Sequence, residues 1–168
     1  DLAEHLKVRE ENLVIGNGGE ETLYLIAQTF INEGDEIIVE SPSFGIYNTT
    51  NTLMGAVIRQ VPYKDKKTDI DGIFAGITPK TKLVYICNPN NPTGNIISKL
   101  ELECLLKGLP EDVVLILDEA YYEYAKGEGF PESVPLLKKY PNIIVLRTFS
   151  KAYGLAALRV GYGITSPE

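Results

Sequence analysis

The apolar residues of this chain fall in short consecutive runs, and each run is stopped by polar or turn-forming residues. Ile37-Ile38-Val39 leads into Glu40-Ser41-Pro42, and Lys82 to Cys87 leads into Asn88-Pro89-Asn90-Asn91-Pro92-Thr93-Gly94. Val113 to Leu117 ends at Asp118, and Ile143 to Leu146 ends at Arg147-Thr148-Phe149-Ser150-Lys151. A strand that is apolar on consecutive positions has both faces covered, as in a parallel sheet layered between helices. The intervening stretches read as helices. Leu23, Ile26, Ala27, Phe30 and Ile31 recur at helical spacing between the glycine loop Gly16-Asn17-Gly18-Gly19 and Asn32-Glu33-Gly34. A mixed segment runs to Met54 before a strand at Ala56 to Val61, and Ser98 to Lys107 forms a further helix. Strands alternating with helices predict one α/β domain, a three-layer α/β/α sandwich with a mostly parallel central sheet and right-handed crossovers.

The 168 residues, 44% of them hydrophobic, suffice for a single packed domain. A net charge of -7 with scattered Lys and Arg argues against nucleic acid or an anionic membrane surface as partner, and favours small molecules. No apolar run approaches the roughly 20 residues that span a bilayer, and no leader is evident, so the cytoplasm is expected. The single histidine, His5, lies in a polar stretch and reads as a surface residue, which leaves no basis for a multi-histidine metal site. No metal is expected. Cys87 and Cys104 form no C-x-x-C pair and have apolar neighbours, so both are expected to be buried thiols in a reducing compartment.

Ligands of open α/β sheets collect at the carboxyl ends of the strands, where the unusual residues of this chain fall. The clusters at 88–94, 118 and 148–151 are therefore expected to converge. Lys151 follows a strand, and an amine there can attack an aldehyde if partial burial or nearby positive charge keeps it neutral. Asp118 places a carboxylate at the edge of a buried sheet, for which a protonated ring nitrogen is a fitting partner. Gly16 to Glu21 opens a helix and resembles a phosphate cradle, with Thr148, Ser150 and Arg159 as further donors. It matches neither the dinucleotide fingerprint nor the P-loop. Phe44 could stack on a flat heteroaromatic ring, and Asn91 and Tyr121 could hydrogen-bond its phenolic oxygen. Each residue alone also has an ordinary reading: surface lysine, helix-capping aspartate, turn glycines, core phenylalanine.

In this order the segments Asn17 to Glu21, Pro42 to Tyr47, Asn88 to Gly94, Asp118 to Tyr121, Thr148 to Lys151 and Gly154 to Gly161 resemble the fold-type I, class I/II pyridoxal-phosphate aminotransferases. The histidinol-phosphate aminotransferase branch is the nearest in kind. The resemblance implies Lys151 as covalent anchor of pyridoxal 5'-phosphate and proton shuttle, and Asp118 as partner of its ring nitrogen. It implies Asn91 and Tyr121 on the phenolic oxygen, Phe44 stacked on the ring, and Gly19, Glu20, Thr148, Ser150 and Arg159 around the phosphate. Gly19-Glu20 stands where the family often has Ser or Ala then Asp, so backbone N–H groups are expected to serve there. Phe44 stands where this branch usually has Tyr. The implied reaction exchanges an amino group between an amino acid or amine, L-histidinol phosphate first and aromatic amino acids second, and a 2-oxo acid such as 2-oxoglutarate. Within the same fold, a phosphothreonine-type decarboxylase or a cyclopropane-forming synthase would share these cofactor residues. A transcription regulator's cofactor-binding sensor domain is the alternative of another class. Residues 1–168 are read as the large domain of a homodimeric enzyme, without its N-terminal arm and small C-terminal domain. The chain is expected to open inside a helix at Asp1.

Overall fold

The computed structural model describes residues 1–125, 127 and 129–167, and these form one seven-stranded sheet covered by helices on both faces. The strands are β1 (Leu13–Asn17), β2 (Glu36–Ser41), β3 (Val57–Pro62), β4 (Thr81–Cys87), β5 (Val114–Asp118), β6 (Ile143–Thr148) and β7 (Val160–Ile164). The α-helices are α1 (Leu2–Leu6), α2 (Gly18–Phe30), α3 (Ile46–Leu53), α4 (Ile70–Gly76) and α5 (Lys99–Gly108). The sheet order is β1-β7-β6-β5-β4-β2-β3. Strands β3, β2, β4, β5 and β6 pair in parallel, while β7 is antiparallel to both β6 and β1. Only β7 therefore runs against the rest.

This is the expected three-layer α/β/α architecture. On one face α2 and α3 bring Leu23, Ile26 and Tyr47 onto Ile37, Tyr85, Ile116 and Leu146. On the other, Ile73 of α4 and Leu102, Leu105 and Leu106 of α5 cover Ile38, Val84, Leu115 and Val145. Helix ends obey local capping chemistry. Ser98 accepts from the Glu101 N–H at 3.3 Å while Glu101 accepts from the Ser98 N–H at 2.8 Å, which starts α5. Asp69 accepts from the Gly72 N–H at 3.0 Å and starts α4.

Several expectations are corrected. Gly16 and Asn17 are the end of β1 rather than part of a loop, and α2 begins directly at Gly18. Asp1 caps α1, its side chain accepting from the Glu4 N–H at 2.9 Å. The strand at 57–62 is an edge, with Val57, Arg59 and Gln60 exposed, so it lacks the two-sided cover of β2, β4, β5 and β6. Cys104 is exposed on α5, whereas Cys87 is buried; both are free thiols.

The carboxyl end of β2 holds one unusual group. Glu40 is buried, its Oε2 accepts from the Tyr63 hydroxyl at 3.2 Å, and burial pushes its carboxyl up from the ordinary 4.5 to about 7. A carboxyl that keeps its proton in the fold but loses it in the unfolded chain destabilises the protein as pH rises through that window. Glu40→Gln is therefore expected to raise stability at pH 8 by at most about 3 kcal/mol, and to change little at pH 4. Denaturant unfolding of both proteins at the two pH values checks this; an equal difference at both would contradict it.

Candidate active site

Because β1 to β6 run the same way, their carboxyl ends share one edge, and the reversed β7 begins there. That edge gathers the start of α2, the segment after β2, the end of β5, the segment after β6, and Arg159 just before β7. A cavity of about 260 Å3 opens between them. It is lined by Gly19, Glu20, Phe44, Asp118, Thr148, Ser150, Lys151 and Arg159. Residues separated by as many as 140 positions in sequence thus meet, and of the three clusters expected to converge those at 118 and 148–151 line this cavity.

One end of the cavity is rich in donors. The N-terminus of α2 presents unpaired N–H groups and the positive end of its dipole. Gly161 on β7 pairs with Gly16 of β1 and Thr148 of β6, and a Cβ there would collide with the backbone of Gly18 and Gly19. Glycine at 161 is what allows the helix start to sit directly on the strand. Gly18, at φ 80°, likewise leaves no room for a side chain against the Arg159 guanidinium. Arg159 is itself in the left-handed region at φ 52°, a backbone state that costs a non-glycine residue of order 1–3 kcal/mol. Its Nη1 donates to the Ala156 carbonyl at 3.2 Å and its Nη2 stands 4.0 Å from Glu20 Oε2. The Thr148 hydroxyl accepts from the Ser150 N–H at 3.1 Å, which folds the segment after β6 back over the cavity.

The other end holds a carboxylate. Asp118 is 7% exposed; its Oδ1 accepts from the Ala120 N–H at 3.0 Å and its Oδ2 from the Tyr47 hydroxyl at 2.7 Å. Burial pushes this carboxyl above the usual range, and the Tyr47 hydrogen bond, the Ala120 N–H and the charge of Lys151 pull it back. Half-buried Phe44 forms a wall between the two ends and meets Tyr47 edge-on, ring centres 5.7 Å apart. An anion-binding end, a buried carboxylate opposite, and an aromatic wall between them suit a flat ligand with a phosphate at one end and a basic ring nitrogen at the other.

Lys151 lines the mouth of the cavity and is exposed, in contrast to the part-buried position expected from its strand-end location. Its Nζ lies 5.4 Å from the centre of the Tyr121 ring. Tyr121 and Asn91 do not line the same cavity; they face an adjoining one of about 560 Å3 bounded by the 89–96 segment and Phe130. Lys151 stands where the two meet.

Three features escaped the sequence reading. In the Asn-rich segment, Asn88 is buried and exchanges hydrogen bonds with the backbone of Ile97 at 3.1 and 3.4 Å. Asn90 accepts from Ser43 at 2.7 Å and donates to the Pro42 carbonyl at 3.0 Å, fastening the Phe44 segment to the 88–94 segment. Glu119, fully buried, pairs with Arg147 at 2.8–2.9 Å, and the guanidinium carbon sits 3.6 Å over the Tyr122 ring. Burial pushes Glu119 up to about 7 in spite of that arginine. Alternation along a strand was the available signal: Glu119 must face away from Asp118, and a carboxylate on that buried face needs a cation. The third is Tyr47, which only the hydrogen bond to Asp118 reveals.

Among the described residues no helix is long and apolar enough to cross a membrane. The family model for aminotransferase class I and II matches residues 1–168. The chain is 47% identical over 168 residues to a histidinol-phosphate aminotransferase of Brevibacillus brevis, covering 100% of this chain and 46% of that protein. It is 48% identical over 164 residues to one of Bacillus velezensis, covering 97% of this chain and 46% of that protein. It superposes with a TM-score of 0.91 and 35% identity on the crystal structure of histidinol-phosphate aminotransferase from Sinorhizobium meliloti in complex with pyridoxal-5'-phosphate, covering 99% of this chain and 45% of that one. The chain thus spans a little under half the length of these relatives. With residues 1–168 matched by the family model and the fold superposing on that of a family structure, the chain belongs to the class I and II aminotransferases.

Proposed function

We propose that this chain is the cofactor-binding large domain of an aminotransferase that anchors pyridoxal 5'-phosphate on Lys151. The observation that carries the reading is the single cavity that joins Lys151, buried Asp118 and the donor-rich start of α2. When bound, the cofactor supplies an aldehyde that takes up an amino group and a ring that draws electrons from the carbon losing its proton. The Lys151 amine would be the covalent anchor and the base at the substrate α-carbon. Asp118 holds the proton on the ring nitrogen. Asn91 and Tyr121, from the adjoining cavity, would donate to the phenolic oxygen, and Phe44 would pack on the ring. The N–H groups of Gly19 and Glu20, the hydroxyls of Thr148 and Ser150, and the Arg159 guanidinium hold the phosphate dianion.

The substrate pair in this reading is L-histidinol phosphate and 2-oxoglutarate, supported by the names of relatives at 47–48% identity. A cytoplasmic homodimer that includes further residues for the substrate is part of the same reading. Turnover by the full-length protein loaded with pyridoxal phosphate tests it: glutamate is expected to accumulate from histidinol phosphate and 2-oxoglutarate. No turnover of that pair, with turnover of another amino donor, would overturn the substrate assignment.

Arg159 gives a narrower prediction. Its guanidinium lines the cavity beside the start of α2, while that of Arg147 is paired with Glu119, so Arg159→Ala is expected to weaken pyridoxal phosphate binding by about 1.5–3 kcal/mol, the range for a lost charge-assisted hydrogen bond. Equilibrium titration of the cofactor-free protein reads this directly. An unchanged dissociation constant would remove Arg159 from the phosphate site.

A further inference from the structure

We propose that Tyr47 is a positioning residue that aims the Asp118 carboxylate into the cavity, sustains its negative charge and couples it to the Phe44 wall. The inference rests on the cofactor reading above and goes beyond it by assigning a residue that does not line the cavity.

Each oxygen of Asp118 has one donor from the protein. The Ala120 N–H on Oδ1 is local to the strand end, whereas the Tyr47 hydroxyl on Oδ2, at 2.7 Å, comes from α3, 71 positions away. Two donors on two oxygens fix the rotation of the carboxylate plane, and the remaining lone pairs are left for the cavity. A hydroxyl donating to an ionised carboxylate is also a strong contact, and it favours the charged form.

Tyr47 is built to stay in place. It is fully buried, stacks on Tyr85 with ring centres 5.0 Å apart and planes at 21°, and meets Phe44 edge-on at 5.7 Å. The Tyr85 hydroxyl accepts from Asn51, whose side-chain amide also donates to the Tyr47 carbonyl at 2.8 Å. The other titratable groups around Asp118 do not replace it. Burial pushes the Cys87 thiol up to about 12 and Tyr47 itself well above its ordinary value, so both remain neutral near pH 7, and Lys151 is an exposed side chain that makes no hydrogen bond to the Asp118 carboxylate among the described residues. Tyr47 therefore touches both the carboxylate and the aromatic wall. A shift of α3 would move the two together.

The test is a carbon-13 NMR titration of the Asp118 carboxyl in the cofactor-free, full-length protein. In Tyr47→Phe, which keeps the ring and its stacking, Asp118 is expected to titrate at higher pH than in the wild type. In Tyr85→Phe, which removes the neighbouring buried hydroxyl that accepts from Asn51 without touching Asp118, its titration is expected to stay put. Replacement of Tyr47 by 3-fluorotyrosine, a stronger donor of the same shape, is expected to move the titration to lower pH, and it decides the matter if Tyr47→Phe does not fold. Pyridoxal phosphate is also expected to bind Tyr47→Phe about tenfold more weakly, equivalent to about 1.4 kcal/mol. An Asp118 titration unmoved by both changes at Tyr47, or moved equally by Tyr85→Phe, overturns the proposal. A wild type that binds no pyridoxal phosphate overturns the cofactor reading instead, while the titration still decides the role of Tyr47.

Discussion

Lys151→Ala is expected to abolish covalent attachment of pyridoxal phosphate and to lower transamination by about ten-thousandfold, the upper end of what one positioned proton-transfer group contributes. The physical case is that two tasks fall on one amine, anchoring the cofactor and moving the α-proton, and the cavity mouth offers no second lysine among its lining residues. The substitution is also clean. Lys151 is exposed, and exposed positions usually change stability by no more than about 0.5 kcal/mol on substitution. Lost turnover with an unchanged unfolding midpoint would therefore reflect chemistry. Single-turnover kinetics and denaturant unfolding of the same preparation check both halves, and near-normal turnover would contradict the assignment.

Asp118→Asn is expected to leave the fold intact and slow proton abstraction by about a hundredfold or more, because the ring nitrogen loses the group that keeps it protonated. Asparagine fits the site: one of its two polar atoms can still accept from the Ala120 N–H, and the Tyr47 hydroxyl can turn to accept from the amide. Burial already pushes the carboxyl upward, so the wild type carries a desolvation cost that the amide removes. The variant is thus expected to be no less stable than the wild type at pH 8. A rate within a few-fold of wild type, measured with saturating cofactor, would contradict the role of Asp118.

How much of this could be read beforehand depended on the kind of signal. The central strands announced themselves because burial on both faces leaves no polar alternation, and β2, β4, β5 and β6 are buried nearly throughout. Strand β7, paired between β1 and β6, did not. Val160-Gly161-Tyr162-Gly163-Ile164 alternates glycine with larger residues, a poor strand by propensity, and its glycines are explained by the approach of α2 and not by the strand itself. Without β7 the reversal that brings Arg159 to the cavity was also invisible. Every site residue named from the sequence lies on the expected edge, since strand ends are where a run of apolar residues stops. Their grouping was not legible: Asn91 and Tyr121 fall in the neighbouring cavity, and Lys151 is more exposed than its position suggested. Residues that act from behind, such as Tyr47 and Asn90, depend on contacts between distant segments, and no local pattern announces them, whereas strand alternation past Asp118 turns Glu119 to the other face. Cys104 illustrates the opposite error, because apolar neighbours on a helix do not decide which face a residue occupies.

The central claim is that Lys151 carries the cofactor. Borohydride reduction of the full-length protein in the presence of pyridoxal phosphate, followed by peptide mapping by mass spectrometry, tests it most directly. The expected result is a stable pyridoxyl-phosphate group on the peptide containing Lys151 and on no other in comparable amount. Stoichiometric labelling of a different lysine, or no labelling of a protein that nonetheless transaminates, would contradict the account.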